Sequence, residues 1–264
     1  MKGPSQTGRT RAVRAATPLP LPRTDWAYFF DIDGTLIDFS ASPDTVLPDR
    51  DLRQIIEGLY RTVGGAVALI SGRAIVDIDR LFPGSRLPAA GQHGIERRDA
   101  TGRVSLHAFP SERLEVEHRR LAAAIAGYPE LLLEHKGLSL ALHYRRAPRL
   151  GGFAHRLLRG LQSRIGEEYC LQAGKCVVEV KPAGRDKGVA VMEFMQEAPF
   201  RGRLPVFLGD DVTDEYGFAT VNRLAGHSVK VGSGPTVARW RLRDVRAVRA
   251  WLERGRAAPR GERA

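Results

Sequence analysis

Short apolar runs that each end abruptly in charged or small polar residues constrain this chain more than any other feature. Residues 28–32 run into Asp31-Ile32-Asp33-Gly34-Thr35, residues 66–70 into Ser71-Gly72-Arg73, and residues 205–208 into Gly209-Asp210-Asp211. Further strand-like runs lie near 87–90 and at 228–231. Carboxylates and Gly are depleted in strands, so an Asp-x-Asp pair at the end of one suits a site better than a sheet. Between the runs the period changes to that of a helix. After Pro48, the early Asp49 and Asp51 and the spacing of Leu52, Ile55, Ile56 and Leu59 predict a helix. This alternation predicts an α/β fold with a parallel sheet. Ligands bind outside the carboxyl ends of such strands, and all three polar clusters fall there. The clusters therefore predict one shared site.

Composition narrows the classes. A chain of 264 residues that is 43% hydrophobic can pack one large domain or two modest ones. No apolar run approaches membrane-spanning length, and the basic start with Lys2, Arg9, Arg11 and Arg14 lacks a following apolar segment. A cytoplasmic protein with no membrane partner is expected. Two cysteines, Cys170 and Cys176, read as reduced thiols. The net charge of +11 comes mostly from Arg scattered along helical stretches such as 239–249, without a basic block interleaved with aromatics. That pattern argues against nucleic acid as a partner and favours a small anionic substrate. Residues 1–24, rich in Pro, Arg, Thr and Ala, read as a flexible basic tail, as do residues 254–264.

Each cluster has a plain alternative. Asp31 to Thr35 could be a turn, Ser71 an ordinary helix cap, Gly209 to Asp214 a solvated acidic loop, and Lys187 an exposed lysine opening a helix. The chemical reading is that Ser71 and the backbone N–H groups of a helix start bind phosphoryl oxygens. Several carboxylates gathered around a phosphate would also need one fixed cation, which Lys187 supplies.

Taken in order, Asp31-x-Asp33-Gly34-Thr35, Ser71, Lys187 and Asp210-Asp211-x-x-Asp214 resemble the four motifs of the haloacid dehalogenase superfamily of aspartate-nucleophile phosphatases. The resemblance implies a Rossmann-like core with a parallel sheet, a nucleophile at Asp31 and a general acid and base at Asp33. It also implies Mg²⁺ held by Asp31, the Asp33 carbonyl and Asp210, with Asp211 next to the metal. Asp214 would orient Lys187 or a water ligand, and Ser71, Gly72, Arg73 and Lys187 would meet the phosphate.

Specificity should lie between the second and third motifs. Residues 72–186 leave roughly 70 residues after one core helix and strand, enough for a small domain. The expected division is a core of 25–107 and 182–253 with a smaller α+β cap at 108–181. Within it the spacing predicts a helix over 111–126 and strands over 131–136, 138–144 and 176–181. Alternation puts Leu138, Leu140, Leu142 and Tyr144 on one face and Ser139, Ala141, His143 and Arg145 on the other. The polar face, with Glu134, Lys136, His143, Arg145, Glu179 and Lys181, is either a solvated sheet surface or a polyhydroxyl-binding surface.

The segments Glu134-His135-Lys136-Gly137, His143-Tyr144-Arg145, Gly174 to Pro182 and Phe207 to Glu215 resemble the trehalose-6-phosphate phosphatase family, over roughly residues 25–252. The resemblance implies hydrolysis of trehalose 6-phosphate to trehalose and phosphate, the second step of trehalose synthesis. It puts Lys136, His143, Tyr144, Arg145, Glu179 and Lys181 against the sugar. It leaves open a partnership with the synthase of the same pathway. Two rivals stand: another sugar-phosphate phosphatase or phosphomutase of the superfamily, and a basic binding protein that is catalytically idle.

Overall fold

The computed structural model describes residues 18–38, 49–107 and 112–257. Strand β1 (Trp26–Phe30) is buried along its whole length, as a central parallel strand covered on both faces must be. Helix α1 (Arg50–Thr62) starts where the sequence predicts, because the Asp49 carboxylate accepts the Leu52 N–H at 2.7 Å. Its stripe of Leu52, Ile55, Ile56 and Leu59 is buried. Strand β2 (Val67–Ile70), the short helix α2 (Ile75–Leu81) and strand β3 (Ala89–Gly91) follow. The hairpin of β4 (Glu96–Arg98) and β5 (Val104–Leu106) then extends the sheet antiparallel. Sequence pattern does not reveal this hairpin, since strands of three residues, one of them Glu-Arg-Arg, are too short and too charged to show alternation.

The next stretch builds a second layer: α3 (Glu112–Ala124), β6 (Leu132–His135), β7 (Leu140–His143), α4 (Gly151–Ile165), β8 (Tyr169–Gly174) and β9 (Val177–Pro182). Helix α4 and strand β8 are additions to the elements expected from sequence. The chain then returns through α5 (Lys187–Phe194), β10 (Leu204–Gly209), α6 (Glu215–Arg223), β11 (His227–Val231), β12 (Trp240–Leu242) and α7 (Val245–Ala257).

The large sheet has the order β12-β11-β10-β1-β2-β3-β4-β5, with β1 parallel to both β10 and β2. Strand order therefore reverses between β1 and β10, and the crevice at their carboxyl ends is where such a sheet takes a ligand. The small antiparallel sheet has the order β6-β7-β9-β8 and a hydrophobic cluster of its own. There Leu140, Leu142, Val178 and Val180 meet Leu114 and Leu121 of α3 and Leu158 and Leu161 of α4. The apolar face is thus consumed by helices, and the polar face is left to look at the crevice. Among the described residues no helix is long and apolar enough to cross a membrane.

The amino-terminal tail expected over 1–24 needs correction at residues 18–24. Residues 1–17 lie outside the described residues, but 18–24 are held to the core. The Trp251 indole N–H donates to the Pro20 carbonyl at 2.8 Å, and the Tyr28 hydroxyl bonds both backbone groups of Arg23 at 2.7 Å. At the other end α7 continues to Ala257, past the expected start of the tail at 254, and 258–264 lie outside the described residues.

One ion cluster ties the second layer together. The buried Glu117 carboxylate of α3 accepts from Arg164 Nη2 of α4 at 2.5 Å and from Arg120 Nη1 at 2.6 Å. Arg164 and Arg120 hold its pKa below the ordinary value of 4.5. A depressed acid stabilises the fold above its unfolded pKa and loses that contribution as pH falls through its folded pKa. Glu117→Gln should cost about 2 kcal/mol at pH 7, roughly 4 to 8 °C in Tm at this size, and the gap to the unmodified protein should close on acidification towards pH 3. Thermal unfolding at the two pH values checks this; an equal gap at both would refute the pairing.

Candidate active site

The reversal of strand order brings together residues far apart in sequence. Asp31 leaves the end of β1, where its N–H donates to the Leu208 carbonyl of β10 at 3.0 Å. Lys187, the first residue of α5, donates from Nζ to Asp31 Oδ1 at 2.7 Å and to Asp214 Oδ1 at 2.6 Å. All three side chains are buried. Burial, with Asp214 and Asp210 alongside, pushes the Asp31 carboxyl up, and the Lys187 ammonium opposes this. Burial by itself would lower Lys187, but Asp214 and Asp31 outweigh it and raise the ammonium's pKa. Lys187 is therefore a permanent cation at the nucleophile-like carboxylate, not an exposed lysine.

Asp214 reaches this position because the loop after β10 folds back on itself. Its Oδ2 accepts the Asp211 N–H at 2.8 Å. A Cβ at Gly209 would stand 2.3 Å from Asp214 Cγ, so only glycine fits the strand end. Carboxylate oxygens of Asp31, Asp210 and Asp214 come within 4.8 Å of one another. Asp210 Oδ1 is buried without a hydrogen-bond partner, and burial with Asp214 and Asp211 nearby pushes the Asp210 pKa up to about 7. An all-oxygen donor set that includes a buried orphan oxygen fits a hard divalent cation such as Mg²⁺. Asp211 instead faces the small sheet, its Oδ2 accepting the Lys175 N–H at 3.4 Å.

A second cluster lies beside the first. Ser71 Oγ accepts the Arg73 N–H at 3.2 Å, which turns the loop ahead of α2. Arg73 then grips Asp33 with two bonds of 2.7 Å, Nε to Oδ2 and Nη2 to Oδ1. This pairing joins two residues separately expected at the phosphate.

From the opposite side the polar face of the small sheet closes over a cavity of about 270 Å³. Glu179 Oε1 accepts from the Ser139 hydroxyl at 2.5 Å and Oε2 from Lys136 Nζ at 3.3 Å. Burial alone would raise Glu179, but Lys136, His93 and Ser139 hold its carboxyl far below the ordinary range. Glu134 Oε2 lies 2.7 Å from His143 Nε2, and Arg145 Nη2 donates to the Lys175 carbonyl at 3.3 Å. The cavity walls include Asp31, Asp33, Ser71, Gly72, Arg73, Lys136, His143, Arg145, Glu179, Lys187, Asp210 and Asp211. Asp214 sits behind them, holding Lys187.

Two residues expected against the sugar are not brought to the cavity. Tyr144 packs against the cluster under the small sheet, its ring 3.0 Å from where a Gly151 Cβ would be. Lys181 is buried and donates to the Arg185 carbonyl. Alternation places Lys181 on the polar face, but it lies one step beyond the cavity, where the backbone before α5 takes it up. Conversely, His93 lines the cavity and sequence reading passed over it. It sits in Gly91-Gln92-His93-Gly94, which has no periodicity; the flanking glycines were the one available sign of unusual backbone.

A family model described as trehalose-phosphatase matches residues 29–246. The chain is 47% identical over 237 residues to the trehalose-6-phosphate phosphatase of Escherichia coli K12, covering 90% of this chain and 89% of that protein. It is 44% identical over 210 residues to a probable trehalose-phosphate phosphatase of Sinorhizobium fredii, covering 79% and 78%. The solved structure of the Candida albicans trehalose-6-phosphate phosphatase C-terminal domain superposes with a TM-score of 0.79 at 23% identity, over 90% of this chain and 93% of that one. The expected Rossmann-like core with a parallel sheet, together with the α+β layer expected between the second and third motifs, is the fold found. With the matched region spanning the Asp31 and Asp210 strand ends and the whole of the small sheet, the chain belongs to the trehalose-phosphatase family.

Proposed function

We propose that this protein hydrolyses trehalose 6-phosphate to trehalose and inorganic phosphate through an aspartyl-phosphate. The observation that carries the reading is a single cavity with two chemically different ends. Asp31, Lys187, Ser71 and Asp210 line it from the side of the large sheet, and Lys136, Glu134, His143 and Glu179 from the side of the small one. The first end suits a phosphoryl group. The second offers fixed donors and acceptors for the hydroxyls of a sugar.

In the first step an Asp31 carboxylate oxygen bonds to phosphorus while the bond from phosphorus to the sugar oxygen breaks, and Asp33 protonates that oxygen. In the second step Asp33 takes a proton from water, which attacks phosphorus and frees Asp31. Lys187 and Ser71 meet the charge on the phosphoryl oxygens, and Asp214 keeps Lys187 in place. In the geometry seen here Asp33 is turned to Arg73, so proton delivery requires it to exchange that pair for the leaving oxygen. Asp31 and Asp210, with the Asp33 carbonyl adjacent, would hold Mg²⁺, and Asp211, turned to the small sheet, would stand outside that set. When bound, the ion neutralises the carboxylates and the phosphate together, which lets an anion approach an anionic nucleophile.

The test is phosphate release across a set of sugar phosphates, with Mg²⁺ and with chelator. Release from trehalose 6-phosphate is expected to exceed that from glucose 6-phosphate and sucrose 6-phosphate by at least about tenfold in kcat/KM, and chelator should abolish it. Turnover of another ester without turnover of trehalose 6-phosphate would remove the substrate and keep the chemistry. An isomerised sugar phosphate as product would replace the phosphatase by a mutase.

A further inference from the structure

The run Gln92-His93-Gly94 passes through left-handed backbone at φ 45°, 58° and 96°. Two residues with side chains hold such a conformation only where their surroundings impose it. Here the surroundings are the phosphate loop. The Gln92 N–H donates to the Arg73 carbonyl at 2.8 Å and the His93 N–H to the Ser71 carbonyl at 2.9 Å. Gln92 Nε2 donates to Glu96 Oε1 at 2.6 Å, and the other oxygen of Glu96 accepts the Ile75 N–H at 2.7 Å.

The side chain that this run presents is His93. Its imidazole lies over Gly72, where a Cβ would come within 2.8 Å of Nε2, so the ring takes this place beside a glycine. Nε2 also stands 3.4 Å from Glu179 Oε2 on the small sheet. Lys136 crosses the same boundary, donating from Nζ to the Gly72 carbonyl and to Glu179 Oε2, both at 3.3 Å. Burial lowers the His93 pKa, so the ring is neutral near pH 7, and with Glu179 ionised the proton belongs on Nε2. Nδ1 is then buried without a partner. An apolar side chain would fill this place without leaving a buried nitrogen unsatisfied, so packing alone does not explain a histidine here.

We propose that His93 is a positioning residue for substrate recognition: mounted on the phosphate loop, it sets where Glu179 stands and so fixes the distance between the phosphate end and the sugar end of the cavity. A substrate is then read by the separation of its phosphate from its hydroxyls. The inference rests on the sugar-phosphate reading given above, since it assigns Glu179 to the sugar end.

Two variants separate this role from a structural one. His93→Asn tolerates left-handed backbone but is too short to reach Glu179, whereas His93→Gln keeps an Nε2 donor within reach. For trehalose 6-phosphate, His93→Asn is expected to raise KM about tenfold with kcat within about threefold, and His93→Gln to stay within about threefold on both. In a Glu179→Gln background, adding His93→Asn should change kcat/KM by less than about twofold, because the group it acts through is already lost. The same tenfold effect in both backgrounds would overturn the proposal. So would a fall in kcat and Tm in both His93 variants at unchanged KM, which is the mark of packing. If the unmodified protein releases no phosphate from trehalose 6-phosphate, the functional reading falls and this inference with it; turnover with an unaltered KM in His93→Asn overturns this inference alone.

Discussion

Asp31→Asn is expected to abolish phosphate release from trehalose 6-phosphate, lowering kcat by about 10⁴-fold or more, while leaving the fold in place. The amide has the shape of the carboxylate but cannot form the acyl phosphate bond, and two neighbouring carboxylates are engaged elsewhere. Asp33 is held by Arg73 through both oxygens, and Asp214 is behind Lys187. The fold should survive because burial already works against the charged form of Asp31. Lys187 also keeps Asp214 as a partner at 2.6 Å. Steady-state phosphate release beside far-UV circular dichroism and a melting curve decides the matter. Activity within tenfold of the unmodified protein would remove Asp31 from the role of nucleophile.

Lys187→Met should affect both rate and stability. It leaves Asp31 and Asp214 buried together with no cation between them, a change that costs about 3 to 5 kcal/mol when one partner of a buried pair is removed. Loss of the charge proposed to meet the phosphoryl oxygens should lower kcat by about 10³-fold as well. The pH dependence carries the sign. Lys187 has a raised pKa, so its contribution is fully present below the ordinary lysine value of 10.5 and is lost only as pH rises through the folded value. In the variant the Asp31 carboxyl, already pushed up by burial, loses the ammonium that opposes this, and its folded pKa rises further. An acid raised in this way loses stability as pH climbs from its unfolded value towards its folded one. The Tm gap between the two proteins, measured with chelator present, should therefore widen from pH 5 to pH 8. A gap that stayed constant would show that Lys187 does not compensate these carboxylates.

The central strands and their polar ends were legible in the sequence because both are local. An apolar run of four or five residues followed by Asp-x-Asp, Ser-Gly-Arg or Gly-Asp-Asp announces itself without reference to the rest of the chain. The helix after Pro48 was equally plain, since Asp49 caps it three residues before the first buried Leu. The alternation in β7 and β9 also set which side chains share a face, because a pleated strand allows only two. Elements that pattern missed were those whose stability is borrowed. Strands β4 and β5 have only three residues each and exist by pairing with β3. Helix α4 and strand β8 complete a hydrophobic cluster that cannot be seen until the small sheet is assembled.

The sequence by itself determined the parallel core, the insertion of a second layer with one polar face, and the residue types gathered at three strand ends. Tertiary structure decided what each side chain touches. It paired Arg73 with Asp33, set Lys187 between Asp31 and Asp214, turned Tyr144 into packing, and tied Lys181 to the backbone before α5. It also brought His93, from a segment with no pattern, beside Glu179. The physical reason is range. Periodicity and strand-end polarity are written by neighbours a few residues apart, whereas the separation of 156 positions between Asp31 and Lys187 is closed only when the sheet reverses its strand order.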